Sequence, residues 1–294
     1  MSDELTLNPF HYQSPIRDPE FFFDRGSDTK KVLDRVRRGA SVSIVGREKI
    51  GKTSFLHHVS NPRVAARYGL SLPSHQFFYV DCKSLAAIGE DDVFQRVKAV
   101  VEQTVLTGAK HSALSLGDIE FLTPYDWLKK AFYRFEAEGI QPIIQLDDFD
   151  GLAANARLGN DFFQGLRALT SVHYTMAYLT TSRLPLISLG YESPCAPGSP
   201  FFNIFRMFKL HSFSLGESRR FLAARLESVG AVFSEIILRS VIDLSQGEPY
   251  RLQLGGACAY DVWCEHGCRL SEEQWGEIEQ RFNDAIGMNA DDTG

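Results

Sequence analysis

The eight residues Gly46-Arg47-Glu48-Lys49-Ile50-Gly51-Lys52-Thr53 constrain this chain more than any other feature. They fit the spacing G-x-x-x-x-G-K-[ST] at every position, follow the short β-rich run SVSIV and precede a helical pattern. A strand, a glycine-bounded turn and a helix in that order make a phosphate cradle. The glycines let the backbone curl until successive N–H groups point inward at one anion. The helix that follows adds free N–H groups and the positive end of its dipole. Gly46, Lys49, Ile50, Gly51, Lys52, Thr53 and Ser54 are therefore the expected phosphate-binding residues. Lys52 is placed to reach the β- and γ-phosphates, and the Thr53 hydroxyl to ligate Mg2+. With glycine near 7% of ordinary sequence, a chance match in a chain of this length is roughly a 1% event.

The surrounding pattern alternates strand and helix. Residues 41–45, 77–80, 143–146, 175–180 and 208–210 read as five short strands. Helices are expected around Val32, Leu33 and Val36, over 52–59, over 92–106, from Thr123-Pro124 to Gly139, and over 160–171. Strands separated by helices predict a parallel sheet covered on both faces, an α/β fold. After about residue 213 the strand signal stops. Ser214-x-x-Glu217 is a capping box, a second helix runs near 234–244, Gly247-Glu248-Pro249 breaks the chain, and two more helices follow. The expected organisation is a nucleotide-binding domain over 1–212, a helical domain over 213–288 and a frayed tail over 289–294. The first 25 residues, rich in proline and aromatics, read as an ordered extended arm.

The phosphate cradle needs a carboxylate to position Mg2+. The run Ile143-Ile144-Gln145-Leu146-Asp147-Asp148 supplies an apolar strand ending in two acids, and the carboxyl end of a strand in such a sheet lies beside the phosphate site. Asp147 is assigned to Mg2+, and Asp148 to orienting or deprotonating the attacking water. The fourth strand runs from apolar into Thr181-Ser182-Arg183, any of which can sense a γ-phosphate; arginine's planar fork suits a two-point contact with phosphate oxygens. No Asn-Lys-x-Asp guanine reader and no Gly-x-Ser-x-Gly nucleophile elbow is present. Cys264, His266 and Cys268 do not have a zinc spacing.

Composition narrows the setting. A net charge of −6 and a sequence pI of about 5.8 give no strongly basic nucleic-acid footprint, and Arg35, Arg37, Arg38, Arg47 and Lys49 read as a solvated face. No apolar run approaches the ~20 residues of a membrane helix. Five cysteines without a disulfide framework and no secretory leader point to a reduced, cytoplasmic protein.

With these residues in place, the chain resembles the STAND class of signalling ATPases, within the larger AAA-related P-loop group. The resemblance covers roughly residues 8–282, through NPFHYQSPIRDPEFFFDR, SIVGREKIGKTS, IIQLDDFD, YLTTSR, FKLHSFSLGES and GEPYRLQLGGACAY. It implies a sheet order of 5-1-4-3-2, bound ATP or ADP with Mg2+, adenine and ribose contacts from Phe23 and Arg25, a γ-phosphate role for Arg183, and a helical lid in which Pro249 lies near the base. Where the family has Gly-Arg in its leading segment this chain has Asp24-Arg25, and where many related ATPases carry a glutamate it has Asp148, one methylene shorter, which implies slow hydrolysis. Family members usually continue into further domains, so a protein effector or an additional domain is the expected partner, with a homo-oligomer in the ATP state. The competing expectations are a motor or loader acting on protein or nucleic acid, with Arg219 or Arg220 serving a neighbouring subunit, and a nucleotide-dependent scaffold with negligible hydrolysis.

Overall fold

The computed structural model describes residues 7–107, 122–172, 175–192 and 199–291; Cys195 and residues 292–294 lie outside them. Helix α1 (Gly26–Val36) leads into strand β1 (Val42–Val45), α2 (Lys52–Ser60) and α3 (Pro62–Arg67). Then come β2 (His75–Asp81), α4 (Glu90–Thr107), α5 (Pro124–Ala137) and β3 (Gln141–Asp147). Helices α6 (Asp150–Ala154) and α7 (Asn160–Val172), strand β4 (Ala177–Ser182), α8 (Leu186–Glu192) and β5 (Arg206–Lys209) complete the α/β part. Four helices follow: α9 (Leu215–Glu227), α10 (Glu235–Ser245), α11 (Pro249–Glu265) and α12 (Trp275–Asp291).

The five strands form one all-parallel sheet in the order β2-β3-β4-β1-β5, which read from its other edge is the expected 5-1-4-3-2. Strands β1, β3 and β4 are buried along their whole length, as strands covered on both faces must be. Alternate residues feed opposite cores. Ile144, Leu146 and Tyr178 pack with α4, α5 and α7, while Ile143, Ala177 and Leu179 pack with α1 and α2 on the other face. A third core forms among α9 to α12, from Phe221, Leu222, Ile237, Val241, Leu252, Tyr260 and Phe282.

Among the described residues of the leading arm, 7–25, there is neither helix nor strand. Asn8 Nδ2 donates to the Ala257 carbonyl at 3.2 Å and to Asp261 Oδ1 at 2.7 Å, and Phe10 is buried in the third core against Phe221. From Asn8 the arm thus runs from the C-terminal helices back to the sheet.

Side-chain caps set several helix starts. Thr123 accepts from the Asp126 amide at the start of α5, and Ser214 and Glu217 close their reciprocal box at the start of α9. Three short helices were not anticipated. Asn61-Pro62 reads as a break, yet the Asn61 side chain accepts from the Arg63 amide and opens α3 with proline in its first turn. Asp150-Gly151 reads as a turn but begins α6, and α8 opens behind Pro185, whose carbonyl accepts from the Ser188 and Leu189 amides. Helix α12 is continuous to Asp291.

Candidate functional site

The loop after β1 emerges between β4 and β5, in the crevice at the carboxyl ends of the strands. Two of its residues have left-handed backbone, Lys49 at φ +58° and Gly51 at φ +93°. Gly51 stands at the N-cap of α2, where that φ would strain a side-chain-bearing residue. A Cβ at Gly46 would lie 2.8 Å from Ile50 Cγ2 and 3.3 Å from the Leu210 carbonyl, so the loop closes only around a glycine. Ile50 is buried and anchors the curl to the core beneath α2. The Lys52 ammonium donates to the carbonyls of Gly46 at 2.9 Å and Arg47 at 3.0 Å, which holds the loop in shape. Burial pulls the Lys52 pKa down, and the charges of Asp148, Asp150 and Asp147 oppose it.

Asp147, the last residue of β3, is only 2% exposed. Its Oδ2 accepts from the Tyr79 hydroxyl at 2.8 Å, and its Oδ1 from the Thr181 hydroxyl. Thr181 Oγ1 in turn accepts from the Asp148 main-chain N–H at 2.9 Å. Asp148 has φ +51°, a conformation that aspartate tolerates better than most residues. Its side chain faces the cavity described below. Burial raises its pKa, the neighbouring charge of Asp147 adds to the rise, and Lys52 resists it.

A cavity of about 490 Å³ opens over the phosphate loop. One wall is the loop and the start of α2, with Glu48, Lys49, Ile50, Gly51, Lys52, Thr53, Ser54 and, from the end of β3, Asp148. A second wall is the arm, residues 11–16, Phe21, Phe22, Phe23 and Arg25. The third comes from the helical region, with Phe213, Phe221, Pro249, Tyr250 and Gln253. The walls are tied to one another. The Ile16 N–H donates to Ser54 Oγ at 3.0 Å and the His11 N–H to Gln253 Oε1 at 3.1 Å. Lys49 Nζ lies 4.4 Å from the centre of the Tyr250 ring, and Arg47 pairs with Glu248 at 3.8 Å. The buried Arg25 guanidinium donates to the His211 carbonyl at 2.8 Å and lies 4.9 Å over Phe213; burial lowers its pKa and Asp28 offsets this.

Ten of the residues expected from sequence therefore line one cavity: Phe23, Arg25, Lys49, Ile50, Gly51, Lys52, Thr53, Ser54, Asp148 and Pro249. Gly46 and Asp147 stand behind it as support. Arg183 stands apart; its N–H donates to both oxygens of Asp150, at 3.1 and 3.0 Å, and its exposed side chain leans toward the same carboxylate. Sequence reasoning passed over His11 to Ile16, Phe21, Phe22, Glu48, Phe213, Phe221, Tyr250 and Gln253, most of whose places depend on where the arm and the C-terminal helices meet, and Tyr79. The donors fit magnesium, a hard cation that takes hydroxyl, carboxylate and water oxygens. Thr53 and Asp148 face the cavity and Asp147 stands one layer back.

The sequence profile of the family described as Novel STAND NTPase 2 matches residues 36–259. A comparison with curated protein sequences gives no match. Among solved structures, the fold is similar to the Walker-type ATPase PABY2304 of Pyrococcus abyssi, with a TM-score of 0.70 and 17% identity over 96% of this chain and 77% of that one. It is also similar to the ORC2 protein of Aeropyrum pernix in its ADPNP–ADP complexes, with a TM-score of 0.64 and 15% identity over 89% and 68% of the two chains. Domain III of the replication initiation protein DnaA of Thermotoga maritima gives a TM-score of 0.55 and 15% identity over 92% and 98%. At these identities the likeness is one of fold.

Proposed function

The chain belongs to the Novel STAND NTPase 2 family, and from that premise we propose that this P-loop NTPase is an ATP-binding, slowly hydrolysing switch. ATP sits in the cavity with its phosphates on residues 46–54 and its base toward the arm and the start of α11. Bound Mg2+ would neutralise phosphate charge, held by Thr53 directly and by Asp147 and Asp148 through its water shell. Asp148 accepts a proton from the attacking water or orients it, and its short side chain keeps that step slow. Residues 1–212 act as the nucleotide-binding domain and 213–288, which α12 carries on to Asp291, as a lid. The phosphate state biases the lid, and the lid controls self-association or a protein effector.

The observation that carries this reading is the composite cavity. Its floor is the phosphate loop, but Phe221 of α9 and Pro249, Tyr250 and Gln253 of α11 also line it, from helices that have a core of their own. A ligand filling it touches both parts at once. A second reading, a loader working on nucleic acid, draws support from fold neighbours such as an ORC1 protein of Aeropyrum pernix solved in complex with DNA. Arg219 and Arg220, which that reading would offer to a neighbouring subunit, are paired here with Glu235 and Asp24.

The test is binding of fluorescent ATP and ADP, followed by solution mass from light scattering with Mg·ADP and with a non-hydrolysable ATP analogue. Lys52→Ala should weaken binding about 10- to 100-fold, the worth of charge-assisted bonds to phosphate. Growth to a defined oligomer with the analogue alone supports the switch. Unchanged affinity in Lys52→Ala overturns the site, and fast turnover stimulated by DNA favours the loader.

A further inference from the structure

Tyr79 lies on β2, three strands from the phosphate loop's own strand and in no recognisable motif. Its hydroxyl nevertheless donates to Asp147 Oδ2 at 2.8 Å. A phenol is protonated at neutral pH and donates here to the carboxylate. The ring is braced from the other side. His57 packs on it with centroids 4.9 Å apart, and His57 follows Thr53 by four residues, on the same face of α2. One side chain therefore links the helix face that carries Thr53 to the carboxylate at the end of β3.

The geometry also limits what Asp147 can do. Each of its oxygens accepts one hydroxyl, from Tyr79 and from Thr181, on a residue that is 2% exposed. A carboxylate has about four lone-pair sites. Two donors fix its plane and leave the remaining lone pairs to accept from water. On the reading of the site given above, we infer that Tyr79 is a positioning residue: it orients Asp147 to hold the water shell of the divalent cation, while Thr53 and Asp148 face the cavity. Partners of this kind that are lost from metal sites typically cost 10- to 100-fold in metal affinity.

The experiment titrates Mn2+ into the protein–ADP complex, read by electron paramagnetic resonance, alongside fluorescent-ADP affinity with Mg2+ and with EDTA. Tyr79→Phe keeps the ring against His57 and removes the hydroxyl. Its Mn2+ half-saturation should rise about tenfold, and the ratio of ADP affinities with and without metal should fall to match. Because Tyr79 acts through Asp147, Tyr79→Phe combined with Asp147→Asn should equal Asp147→Asn alone. Tyr79→His keeps a ring but is too short to reach Asp147 and should lose as much as Tyr79→Phe, and it carries the same comparison independently of how Tyr79→Phe folds. A wild-type Mn2+ midpoint in Tyr79→Phe, or additive effects in the double variant, overturns the inference alone. Failure of the wild-type protein to bind ADP overturns the nucleotide reading, and the role of Tyr79 with it.

Discussion

Asp148 carries two costs at once. Its backbone occupies the left-handed region, and its carboxylate is half-buried beside Asp147 with a pKa raised above the ordinary aspartate range. A raised folded-state pKa means that folding disfavours the charged form, so this group weakens the fold at neutral pH and the penalty fades as pH falls through the folded pKa. Asp148→Asn should therefore stabilise the protein at pH 7 by about 1 kcal/mol or less, after allowance for solvent screening. In a chain of this size that is a rise in melting temperature of about 2–4 °C or less, and it should vanish in acid. The same substitution should abolish hydrolysis if Asp148 is the base. Thermal melts at pH 7 and pH 4 check the first part, and phosphate release the second. A melting temperature that falls at pH 7 would show that Asp148 is stabilised as a carboxylate in the fold. Lys52, the cation that opposes the rise, gives a second handle: Lys52→Ala should move the acid limb of any residual turnover to higher pH.

At the scale of elements, the arm and α11 meet through one close approach. A Cβ built on Gly256 would lie 2.4 Å from the Phe10 ring, so the absence of a side chain in the middle of α11 makes room for Phe10. Burying a phenylalanine side chain is worth about 1.5–3 kcal/mol. Gly256→Val should eject Phe10 and loosen the arm, and trypsin cleavage after the exposed Arg17 should quicken by about 10- to 100-fold. Phe10→Ala removes the same contact from the other side and should do likewise, whereas unchanged cleavage in both would mean that the arm is held by its hydrogen bonds. This contact also shows where sequence reading runs out. The glycine run Gly255-Gly256 gave no sign of a partner 246 positions upstream of the second glycine. The phosphate loop, both acids and the five strands were legible because their chemistry is local: a fixed spacing, a strand end, a β-branched run. Tyr79 was not, because its value comes from the register that sets β2 against β3 and from the reach of a side chain two pairs along, to Asp81 and Asp147. Helix α3 was missed for a different reason, since proline after asparagine starts a helix as readily as it ends one.

At the scale of the whole molecule, two of the three hydrophobic cores meet at one cavity, the core between the sheet and α1 and α2, and the core among α9 to α12. Few of the links between the phosphate loop and the helical region are strong. Arg47 and Glu248 are 3.8 Å apart with the arginine largely exposed, a pair worth little in water. Lys49 over Tyr250 adds about 0.5–1 kcal/mol at most exposed sites of this kind. Contacts this weak leave the relative placement of the two regions open to a ligand that touches both. A nucleotide at a hundred times its Kd stabilises the bound form by about 2.7 kcal/mol, more than these two links together. The expected consequence is long-range protection: with Mg·ADP, amide exchange should slow in α2, as for any phosphate-loop ligand, and also in α9 and the first turns of α11. Exchange measured along the chain by mass spectrometry checks this. Slowing confined to residues near 46–60 would mean that the ligand occupies the loop alone and that the helices do not close on it. Slowing in all three segments, lost together in Lys52→Ala, would make the helical region part of the nucleotide site and the weak links the surface on which its movement is read.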